Sequence, residues 1–107
     1  MNESNQIQGQ VSQQMLDDAA AYAEDNYEEV LSLSKVQAKM LLKFFGIDEA
    51  EQKLWDWLRF HDEEYLQSLQ DPHNYCRVIM LERSASLIGT WKLLQMMKEK
   101  GSCNEAV

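Results

Sequence analysis

The chain has 107 residues, of which 45% are apolar and 26% charged, and its net charge is −8. One domain of ordinary size fits that length and should bury about 65% of its unfolded surface in a single core. With one proline and four glycines against an abundance of Gln, Glu, Leu, Met, Ala and Lys, the composition excludes fibrous and strand-rich chains and favours helix.

Residues 1–34 hold seven acids (Glu3, Asp17, Asp18, Glu24, Asp25, Glu28 and Glu29) and no Lys or Arg. Such a surface repels phosphate, which disfavours nucleic acid as a partner. The opening Met1-Asn2-Glu3-Ser4 resembles no secretion leader, and nowhere do about 18 apolar residues run together. The two cysteines, Cys76 and Cys103, read as reduced thiols. Together these features predict a cytoplasmic chain with no membrane partner.

In chain order, residues 1–11 are polar and without period, and are expected to form a flexible arm. A single helical domain is expected over 12–100. Its first helix, about 12–31, carries Met15, Ala19, Tyr22, Ala23, Tyr27 and Val30 at three- and four-residue steps, with acids on the other face. Ser34 and Gln37 have the spacing of a capping box, which predicts a second helix over about 35–45. Gly46 suits a left-handed residue after its last turn, and Asp48 with Glu51 repeats the box for a third helix over about 49–69.

Asp71 and Pro72 are a cap and a first helical residue for a fourth helix, about 72–100, apolar on every side of its wheel. That breadth predicts a central helix or one shared with a partner, and a break near Glu82–Ser86 is the alternative to one long rod. The tail 101–107 is expected to be flexible. The fold class is therefore all-α: a compact bundle of about four helices joined by short connections.

Sites for chemistry are sparse. Residues 35–57 have the lengths of a DNA-reading helix-turn-helix, but Gln52 falls where that motif buries an apolar residue. The second helix would also open with Glu49-Ala50-Glu51, facing phosphates with negative charge. His73 and Cys76, three apart, form half of a metal site, with only the distant His61 and Cys103 to complete it. No oxyanion hole or orienting carboxylate accompanies Cys76 as a nucleophile. A polar seam of Glu82, Ser86 and Thr90 crosses the apolar fourth helix, and His61 and Tyr65 are expected to bond to Glu82 there. Neither a catalytic residue, a metal ligand set nor a cofactor is expected.

Aromatics carry the stronger signal. Trp55 and Trp57 point about 160° apart on one helix, with Phe60 further round, so one core does not easily take all three. With Trp91 they form a candidate partner-binding set, joined by Asp17, Asp18, Glu24, Asp25 and Glu28 on the acid face of the first helix. Burial inside the bundle is the competing reading for the aromatics, and a solvated face for the acids. The expected function is a non-enzymatic protein–protein interaction module whose partner is another protein or a second copy, as in a homodimer. The rivals are a helix-turn-helix DNA regulator over 35–57 and an acidic mimic of nucleic acid.

Overall fold

In the computed structural model, backbone is described for residues 11–104 and side chains as far as Lys100. Four α-helices occupy nearly all of that span: α1 (Gln13–Asp25), α2 (Tyr27–Phe44), α3 (Ile47–Gln70) and α4 (Arg77–Asn104), with a 3-10 turn at Pro72–Asn74. Residues 1–10 of the expected arm and 105–107 of the expected tail lie outside the described residues. Val11, assigned to the arm, is instead buried, and the last helix continues past 100 to Asn104.

α4 is the axis of the fold. Its apolar residues surround the helix, and α1, α2 and α3 each pack on it while making few contacts with one another. Helices too apolar for an edge position gain most by occupying the centre, where every face meets another helix. At ~1.5 Å per residue its 28 residues form a rod about 42 Å long, and it has no break near Glu82–Ser86. Met15 of α1, Leu41 of α2, Leu54, Leu58 and Tyr65 of α3, and Trp91 and Leu94 of α4 are almost wholly buried around it.

The helix starts differ from the sequence expectation, and each difference has a local cause. The first break falls at Asn26 and not at 31–35. The Asn26 side chain donates to the Tyr22 carbonyl at 3.0 Å, and its own backbone N–H reaches the same oxygen at 2.9 Å. Asn competes well for backbone groups in this way, and it closes α1 there. Ser34 caps nothing. It is buried in the middle of α2 and donates to the Ser86 carbonyl of α4 at 3.0 Å.

Gly46 has φ −70° and ψ 166°, so it is an extended residue leading into α3, and Asp48 lies inside the first turn. Beyond Asp71 the chain makes one 3-10 turn, then Tyr75 is extended and leans on the core, which delays α4 to Arg77. Ser12 does cap α1: its Oγ accepts from Met15 N–H at 3.2 Å and donates to Asp62 of α3 at 2.7 Å.

α2 and α4 approach closely because small residues line both. A Cβ built on Gly89 would stand 2.2 Å from Ser34 Oγ. Thr90 Oγ1 lies 2.7 Å from both the Gln37 side-chain oxygen and the Ser86 carbonyl.

Candidate functional site

After the Asn26 corner α1 and α2 diverge, and the wedge between them is floored by α4. It is an open groove of about 450 Å³, within the ~300–1,000 Å³ of ligand and side-chain pockets. Ala19, Ala20 and Ala23 on α1 and Ala85 and Gly89 on α4 are too small to fill it. Leu16, Val30, Leu31, Ile88 and Leu93 make its walls apolar, and exposed Tyr27 and Met96 also line it.

At ~100° per residue, Gln13, Asp17, Ala20 and Glu24 share the groove-side edge of α1. Asp17 and Glu24 are exposed there, as is Glu28 on the first turn of α2. The groove is thus apolar inside and acidic along α1, with Lys92 as a basic lining residue.

The sequence-selected residues divide between this surface, the core and a separate flank. Asp17 lines the groove, and Glu24, Asp25 and Glu28 are exposed near the corner. Asp18 turns the other way. It accepts from Tyr65 Oη at 2.5 Å and from Gln14, and Arg77 lies 3.4 Å away. Burial pushes its carboxyl upward, but these bonds and the Arg77 charge outweigh burial and hold it below the ordinary carboxylate value. Burial, together with the bond to Asp18, raises the Tyr65 hydroxyl to about 12.

Trp55 and Trp91 are core residues, 8% and 1% exposed, with ring centroids 5.8 Å apart. Trp91 nonetheless contributes to the floor of the groove. Trp57 and Phe60 are exposed, at 41% and 65%. The groove was not foreseen from the sequence; its sequence signal on α1 is the trio Ala19, Ala20 and Ala23, where the helix has no bulk.

The polar seam of α4 exists with different partners from those expected. Ser86 and Thr90 face Ser34 and Gln37 of α2, while His61 bonds to Ser84 at 2.5 Å and Tyr65 to Asp18; neither bonds to Glu82. Ser84 donates onward to the Met80 carbonyl at 2.9 Å, so His61 Nε2 is the donor in the first bond. Burial drives the His61 pKa down to about 4, and the nearby Arg83 charge adds to the fall. The neutral His61 thus ties α3 to α4 through a buried serine.

His73 sits in the exposed 3-10 turn and Cys76 just before α4, both away from buried His61. Among the described residues no three of His, Cys, Asp or Glu gather as metal ligands. The first turn of α3 presents Asp48 and Glu49, the wrong charge for a helix entering a DNA groove. No described helix is long and apolar enough to cross a membrane.

Comparison of the chain with family models, curated proteins and solved structures returns no match.

Proposed function

We propose that the chain is a non-enzymatic, cytoplasmic protein-interaction module, and that the groove between α1 and α2 receives an amphipathic helical segment of a basic partner protein. The observation that carries this reading is the pairing of an apolar trough with an acidic edge in one place. A partner helix gains by burying its apolar face against Leu16, Leu31 and Ile88, in the helix-in-groove manner. Lys or Arg beside that face meets Asp17, Glu24 and Glu28, which speeds encounter and selects against acidic competitors. The open wedge also needs no rearrangement of the core, because Trp91 and Leu93 already close its floor.

The test uses a synthetic Leu/Lys amphipathic helical peptide carrying a fluorescent label, titrated with the full chain at low salt. Binding that weakens with salt, and by about tenfold in Ala20→Lys, is the expected result. Ala20 is exposed, so that substitution alters the trough without unfolding the domain. Equal binding of a Leu/Glu peptide, or indifference to Ala20→Lys, rejects the reading.

A further inference from the structure

The charges bordering the groove change sign along its length. On its α4 floor Ala85, Gly89, Lys92 and Met96 fall within about 60° of one another and extend about 16 Å along the axis, the length of about three helical turns. Ala85 marks the narrow end, where it packs with Ala19, Ala23 and Val30 behind the Asn26 corner. Lys92 and Met96, both exposed, mark the wide end. At ~100° per residue Glu24 stands about 20° round α1 from Asp17, and Glu28 about 20° round α2 from Lys35. Each rim thus carries one charge near the corner and one about two turns further out.

At the narrow end stand Glu24 and Glu28, exposed and in no ion pair among the described residues. At the wide end stand Lys35 and Lys92, also exposed and in no such pair. Lys35 follows the groove-lining Tyr27 and Leu31 at four-residue steps along α2, and Lys92 lines the groove itself. The acid at that end is Asp17, which already accepts from the Gln13 side chain at 2.9 Å. The corner is therefore negative and the mouth carries more base than acid.

We propose that this gradient fixes the direction and the charge pattern of the partner helix: a segment of about three turns lies with its N-terminus at the Asn26 corner and its C-terminus between Lys35 and Lys92. A helix carries about half a positive charge at its N-terminus and half a negative one at its C-terminus. It also leaves its first N–H and last C=O groups without partners of its own. Glu24 and Glu28 accept from those N–H groups, and Lys35 and Lys92 donate to those carbonyls, so the groove caps its occupant at both ends. The opposite direction would set the negative helix end against two carboxylates. Basic side chains of the partner accordingly belong to its first two turns, and an acidic one is tolerated only in the last. This inference rests on the reading of the groove as a helix site and adds which way round the helix lies.

The test uses a Leu/Lys amphipathic peptide of about three turns, blocked at both termini and carrying a nitroxide at one end or the other, bound to the full isotope-labelled chain. In amide NMR spectra the N-terminal label should broaden Ala23 and Tyr27, and the C-terminal label Lys92 and Met96, with one direction favoured about tenfold. A chain carrying Glu24→Lys, Glu28→Lys, Lys35→Glu and Lys92→Glu should turn the peptide round, so that the two labels exchange the residues they broaden. All four sites are exposed, so its helical circular dichroism should be retained. Should that chain fail to fold, the pattern in the parent decides alone. Equal broadening at both ends by either label, the opposite direction in the parent, or an unchanged pattern in the reversed chain overturns the proposal. In each of those cases a peptide still displaced by Ala20→Lys leaves the groove reading standing, whereas a peptide that does not bind at all removes both.

Discussion

Replacing Gly89 with alanine tests the contact that joins α2 to the central helix. In an isolated helix the change stabilises by up to ~1 kcal/mol, because glycine loses more backbone freedom on folding. Here the added Cβ would lie 2.2 Å from Ser34 Oγ and 3.2 Å from Ser34 Cβ. The hydroxyl must swing away, breaking its bond to the Ser86 carbonyl in a site that is 1% exposed. Overpacking costs about 1–3 kcal/mol, and a buried hydroxyl left without a partner about as much again. After subtracting the helical gain, Gly89→Ala should destabilise by about 1–5 kcal/mol.

Ser34→Ala alone should lose about 1 kcal/mol, since the Ser86 carbonyl still accepts from Thr90. The double variant removes the atom in the way and leaves only the tight Cβ contact. It should therefore be more stable than the sum of the two losses by about 2 kcal/mol. Urea denaturation of all four proteins, with m-values compared, measures the cycle. If Gly89→Ala is as stable as the parent or more so, or if the two losses simply add, the close approach is not what requires glycine at 89.

His61 and Ser12 give two further tests. The unfolded chain takes up the His61 proton near its ordinary 6.5, whereas the folded chain resists until about 4. Stability is therefore complete above pH 6.5 and falls by about 3 kcal/mol as pH drops through 4, a slope that His61→Asn should remove. NMR titration of the imidazole in the folded protein checks this directly, and a transition near 6.5 would falsify it. Ser12→Ala removes both the cap on Met15 and the bond to Asp62, so about 1–2 kcal/mol should be lost in thermal or urea unfolding. A loss of only a few tenths would mean that Asp62 and solvent already satisfy the end of α1.

Much of this architecture was legible in the sequence because it rests on local periodicity. The apolar steps of α1 and α3 and the all-round apolarity of α4 are read with 3.6-residue geometry, and with the scarcity of glycine and proline they led to a helical bundle whose last helix is either central or shared with a partner. The start of α1 near residue 12 was readable for the same reason, though the Ser12 cap itself was found only in the structure. The concentration of acid before Lys35 needed only counting.

Tertiary structure decided which polar residues are ends and which are contacts. Ser34 with Gln37 matches a capping box letter for letter, yet both face α4, because the small side chains of Ser86, Gly89 and Thr90, some 50 positions away, leave room for them. Asn26 could end a helix or ride on its surface, and packing on α4 from both sides made it the corner. Trp55, Trp57 and Phe60 have the same chemistry on paper; the partner helix covers Trp55 with Trp91 and leaves the other two in water. The groove is the clearest case, since a space between helices is a property of their divergence and belongs to no single stretch of chain. Periodicity tells a helix which face to bury, but only the neighbour that arrives there determines whether a residue on that face becomes core, contact or open surface.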